Sequence, residues 1–154
     1  MNVVVIGVGN EYRRDDGIGP AVATEIAGRD LPGVRAVVAD GEPSALLEAW
    51  SGADLAVVVD AVMCEPATPG RIWPSIVDGR ADALRGGGGG AASSHALGIP
   101  EALLLGQALG RVPRRLVVLA VEAADLDLGT GLSEPVTAVF PEVVAAVLDY
   151  IGTS

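Results

Sequence analysis

Short apolar runs recur along this chain, each followed by turn residues and then by a stretch with helical spacing. Residues 2–6, Asn-Val-Val-Val-Ile, are a β-branched run that reads as a buried parallel strand. The run breaks on Gly7 and Gly9 and resumes at residues 21–26 as an amphipathic helix, the opening half of a strand–helix–strand unit. Residues 34–40 predict a second strand, 41–44 a turn and 45–50 a short helix; residues 55–60 predict a third strand, apolar until Asp60. After a loop at 66–70, Arg71-Ile72-Trp73 begins a strand that Pro74 is expected to stop. An apolar helix over about 99–109, a strand over 116–122 and a closing helix over 134–150 complete the pattern. Pro135 sits where a helix start tolerates proline, whereas Pro141 is expected to kink the closing helix or split it in two.

Strands alternating with helices predict an α/β fold of three layers (α/β/α), a mostly parallel twisted sheet with helices on both faces, as one domain over residues 1–154. In such sheets ligands bind outside the carboxyl ends of the strands. The loop from Gly7 to Pro20, Asp40, Asp60 and Glu122 all occupy that kind of position and are expected to gather along one edge.

Composition narrows the function classes. A chain of 154 residues buries about 70% of its unfolded surface, and with 50% hydrophobic but only 3% aromatic residues the core must be aliphatic. A net charge of −10 argues against nucleic acid, whose phosphates demand a basic surface. No run of about 20 apolar residues suggests a membrane span, and no basic segment precedes the first strand, so neither membrane nor signal peptide is expected. A single cysteine, Cys64, excludes an internal disulfide and fits a reducing cytoplasm. Nothing in the pattern demands an oligomer, so a monomer is expected.

Gly7-Val8-Gly9 resembles the start of a dinucleotide fingerprint, but Tyr12 stands where a third glycine would allow close helix packing. Asp15 and Asp16 would also set negative charge where a pyrophosphate docks. Asp40, an acid at the end of the second strand, keeps a nucleotide reading open. Asp15 and Asp16 also fit helix capping, and Asp40 and Asp60 also fit turn residues bonded to their own backbone. His95, the only histidine, stands among Ser93, Ser94 and the glycine run 86–90, a poor setting for core burial. Two carboxylates and one imidazole would suit Ni²⁺, Zn²⁺ or a similar ion while leaving room for water or substrate. There is no Gly-x-Ser-x-Gly elbow, and a Cys64–His95 thiol nucleophile is a third reading.

Taken together, Gly-Val-Gly-Asn at 7–10, Asp-Asp-Gly-Ile-Gly-Pro at 15–20, Ala-Asp-Gly at 39–41, Val-Val-Asp-Ala-Val at 58–62 and Ser-Ser-His-Ala-Leu-Gly at 93–98 resemble the nickel–iron hydrogenase maturation peptidases. Val-Glu-Ala-Ala-Asp-Leu at 121–126 and Gly-Leu-Ser at 131–133 extend the likeness over nearly the whole chain. The resemblance implies an aspartyl-type endopeptidase that removes a C-terminal extension from the hydrogenase large-subunit precursor, its protein partner. It implies Asp16, Asp60 and His95 as metal ligands, and Asp16 and Asp40 as residues for cleavage. The nickel it implies is carried by the substrate, and zinc or cadmium could occupy the same ligands. Two features depart from the family pattern: Glu42 follows the Asp40-Gly41 pair, and five glycines precede His95. A non-catalytic module of the same fold, recognising a metal or a nucleotide, is the alternative.

Overall fold

A computed structural model describes residues 1–78 and 98–152. Its elements follow the order β1 (Val3–Val8), a 3-10 turn (Arg14–Gly17), α1 (Ile18–Gly28), β2 (Val34–Ala39), α2 (Pro43–Trp50), β3 (Leu55–Val62), β4 (Ile72–Asp78), α3 (Gly98–Leu109), β5 (Arg115–Glu122) and α4 (Glu134–Ile151). The five strands form one sheet in the order β2-β1-β3-β5-β4, parallel except for β4, which pairs antiparallel with β5. The expected α/β architecture is the observed one.

Side-chain alternation along the strands builds two cores. Val3, Val5, Val57, Val59, Val117 and Leu119 face α1 and α4 on one side of the sheet. Val4, Ile6, Ala56, Val58, Leu116 and Val118 face α2 and α3 on the other. Strands buried on both faces lose the polar half of the alternation, which is why β1 and β3 are apolar almost throughout. Among the described residues, no helix is long and apolar enough to cross a membrane.

Proline misleads at two places. β4 continues through Pro74 to Asp78 instead of stopping. It is an edge strand, and Glu122 N–H donates to the Arg71 carbonyl (2.8 Å), so by alternation Pro74 faces away from β5, where a missing N–H breaks no ladder bond. α4 likewise runs unbroken through Pro141. An interior proline costs about 3 kcal/mol, but the helix buries Val136, Val139, Val143, Val144, Val147 and Ile151 on one stripe that spans it. At about 1.5–3 kcal/mol for each such side chain, burial outweighs the proline.

The sheet order reverses between β1 and β3: the chain leaves β1 for β2 on one side and returns to β3 on the other. Such a switch point opens a crevice at the carboxyl ends of the two strands. Asp16 follows β1, and Asp60 lies on β3.

Candidate active site

Backbone contact sets the crevice. Gly7 on β1 and Gly19 in the first turn of α1 face each other with no side chain between them. A Cβ on Gly19 would stand 2.5 Å from the carbonyl oxygens of both Val8 and Val59, a separation real Cβ atoms do not adopt. The helix therefore rests directly on the end of β1 and on Val59 of β3, three residues after Asp16 and one residue before Asp60. The close helix packing that Tyr12 fails to provide comes from Gly19, seven residues further on. The sequence carries Gly19 openly; its role depends on a crossing that only the fold reveals.

Asp15 and Asp16 are 0% and 2% exposed, but neither caps α1, whose N-cap is Gly17 with no side-chain bond. Asp16 Oδ2 accepts the Asn10 N–H at 2.8 Å, and the adjoining Gly9 N–H donates to the Ala39 carbonyl at 3.0 Å. The Gly9–Asn10 loop thus touches Asp16 on one side and the end of β2, beside Asp40, on the other. Gly9 has φ +143, and a Cβ there would run into the Asp16 carbonyl, so only glycine lets the loop lie so close.

Asp15 turns away from the crevice. Its Oδ2 accepts the N–H groups of Ala124 (2.8 Å) and Asp125 (3.0 Å) and the Ser133 hydroxyl (2.8 Å), and its Oδ1 accepts the Ser133 N–H (2.6 Å). It braces the 3-10 turn to the segment between β5 and α4.

Asp60 is 3% exposed and lies inside β3, opposite Ala120 of β5, two residues before the strand ends. The turn reading therefore fails for Asp60. It holds for Asp40, which is exposed and accepts the Glu42 N–H on Oδ1 at 3.0 Å, an Asx turn at the mouth of a groove. His95 lies outside the described residues. Among those residues, no three His, Cys, Asp or Glu side chains come close enough to hold a metal ion. A three-ligand set on Asp16 and Asp60 needs a further donor from beyond them.

Glu122 ends β5, opposite Val62 at the end of β3, and has its own set of donors. It is 1% exposed and accepts the Thr68 N–H and the Trp73 indole N–H, both at 2.6 Å, while Arg71 stacks on the Trp73 ring at 4.1 Å. Burial by itself would raise its pKa, but the Thr68, Trp73 and Cys64 donors and the Arg71 charge outweigh it and hold the carboxyl below its usual range. Cys64 shares this cage. Its burial and the neighbouring Glu122 carboxylate raise the thiol pKa, the reverse of what a cysteine nucleophile needs. The thiol reading finds no support.

Residues 32–150 match the model of the hydrogenase maturation protease family. The chain is similar in structure to the hydrogenase maturating endopeptidase HybD of E. coli, with 25% identity, a TM-score of 0.77, and 98% of this chain and 92% of that one covered. It is also similar to the hydrogenase 2 maturation peptidase of Thaumarchaeota archaeon SCGC_AB-539-E09, with 27% identity, a TM-score of 0.72 and all of both chains covered. Comparison with curated protein sequences gives no significant match.

Proposed function

The chain belongs to the hydrogenase maturation protease family, and from that premise we propose that it removes the C-terminal extension of a nickel–iron hydrogenase large-subunit precursor once nickel is in place. One observation carries the reading. Two carboxylates, Asp16 and Asp60, are held almost wholly buried at the switch point between β1 and β3, where a sheet of this order binds its ligand. Together with His95 they would supply an oxygen–oxygen–nitrogen donor set suited to a borderline cation. The nickel belongs to the substrate, where cysteine thiolates hold it more tightly than such a set would. The peptidase would therefore read the ion without extracting it.

In this reading Asp40 carries the proton transfer. Exposed, with one carboxylate oxygen on the Glu42 N–H, it takes a proton from the water that attacks the scissile carbonyl and returns it to the departing amine. Asp16 holds the substrate's nickel, and with it the segment to be cut, against the crevice. The work takes place in the cytoplasm, on a monomeric enzyme.

Incubation with a nickel-loaded precursor carrying its extension, followed by mass spectrometry, tests the proposal. The expected result is a mass loss that disappears in Asp16→Asn, Asp60→Asn and His95→Ala. Precursor bound by the wild type but never shortened would replace this reading with that of a non-catalytic recognition module.

A further inference from the structure

The outer edge of β2 lies open beside the candidate site. β2 pairs with β1, and among the described residues no strand lies on its other side. Val3 N–H donates to the Gly33 carbonyl and Gly9 N–H to the Ala39 carbonyl, each at 3.0 Å. These two bonds fix the phase of the ladder, with residues 33, 35, 37 and 39 turning their backbone groups towards β1. By alternation, Ala36 and Val38 turn their N–H and C=O groups outward. Open edges are commonly blunted by lysine, proline or a bulge, and Val-Arg-Ala-Val-Val-Ala contains neither residue and pairs with β1 without interruption. The charge it does carry, Arg35, is drawn aside, its guanidinium donating to the Ala49 carbonyl in α2 at 2.8 Å. Val38 is left 56% exposed.

A groove of about 520 Å³ runs along this edge between β2 and α2, widened by the small side chains of Ala45 and Ala49 and reaching Gly9 and Asp40. We propose that the precursor segment to be cut binds here as an added strand on β2. Its backbone would pair with Ala36 and Val38, and its scissile bond would be delivered to Asp40. The proposal rests on the peptidase reading above. Outward N–H and C=O groups at two-residue spacing are matched by an extended polypeptide. The groove is continuous with the site through Gly9, whose neighbour Asn10 holds Asp16. A second copy of this chain paired on the same edge would cover Asp40 and close the site, so the substrate is the occupant that agrees with cleavage.

Val38→Pro tests the proposal, because it deletes an outward N–H and leaves the ladder to β1 intact; Val38→Thr, which keeps that N–H, is the control. With nickel-loaded precursor, the proline variant should raise KM about tenfold, roughly the loss of one backbone hydrogen bond, with kcat within about twofold. The threonine variant, which keeps the N–H, should raise KM severalfold less than the proline variant. A wild-type KM in Val38→Pro overturns the proposal. Hydrogen exchange on the Asp40→Asn variant, mixed with excess nickel-loaded precursor, supplies a readout that needs no cleavage. Slowed exchange at the Ala36 and Val38 amides supports the added strand, and unchanged exchange there overturns it. Slow exchange before precursor is added, together with a dimer in sedimentation, would give the edge to a second copy and also overturn it. If the wild type leaves loaded precursor uncut but these amides are protected, the peptidase reading falls and the binding edge stands.

Discussion

Buried carboxylates occur in two regions of this sheet, and they are buried to different ends. On the β5 side, Glu122 is gripped by Thr68 and Trp73 from the β3–β4 connection and the start of β4, 54 and 49 residues away in sequence. Asp15 is gripped in the same manner by Ala124, Asp125 and Ser133, 109 to 118 residues away. At the β1–β3 crevice, Asp16 bonds to Asn10, only six residues upstream, and Asp60 sits within its own strand. The first pair braces distant parts of the chain, and the second stands where a ligand would arrive. Burial of an acid is therefore no guide to its role; donors far along the chain mark Glu122 and Asp15 as braces.

The largest expected effect tests the brace. Asp15→Ala strips a carboxylate from three backbone N–H groups and a hydroxyl at once. It should cost about 4 kcal/mol and lower Tm by about 10 °C. Asp16→Asn should cost no more than about 1 kcal/mol while abolishing cleavage. Thermal melts of the two variants, set beside cleavage assays, would break the comparison if the losses came out reversed.

Glu122→Gln should cost about 2 kcal/mol at neutral pH, since an amide cannot accept from both Thr68 and Trp73 as the carboxylate does. The sign of its pH dependence follows from the lowered pKa. The carboxylate's stabilisation is fully present above 4.5, the ordinary value, and is lost as pH falls through the lower folded value. Urea midpoints of wild type and variant should therefore converge on acidification. A gap that stays constant to acid would remove Glu122 from the braces.

The smallest effect is expected at Cys64. Cys64→Ser should leave cleavage of nickel-loaded precursor within about twofold, since a thiol beside a carboxylate is kept protonated. At neutral pH the wild-type thiol should react slowly with iodoacetamide, and fast alkylation with loss of cleavage would reinstate a cysteine mechanism.

Much of this was legible in the order of residues. β1, β2, β3, β5 and all four helices fall within a few residues of the positions their apolar periodicity predicts, because strands buried on both faces and helices buried on one stripe each leave a distinct period. Pro74 and Pro141 misled because a proline's cost depends on which way its missing N–H would have pointed and on what the neighbouring side chains bury, both tertiary facts. Asp15 looked like a helix cap because its true donors lie more than a hundred residues away. Asp60 looked like a strand end, but β3 continues to Val62 as Ala61 and Val62 extend the pairing with β5. The turn at Asp40 was legible, since an Asx turn is local. His95 was singled out by its setting in the sequence and lies outside the described residues.

The crossing of Gly7 and Gly19 has a consequence for how this protein can change. Where two elements meet through side chains, their spacing drifts as those side chains are exchanged. Here peptide groups touch directly, so the span between the end of β1 and Val59 of β3 behaves as a gauge block, cut to one size by the backbone. Surrounding valines can be traded for isoleucine or leucine, with stability rising or falling, while the two acids keep their separation. A single methyl group on Gly19 would do what many core exchanges cannot, and alter the gap itself.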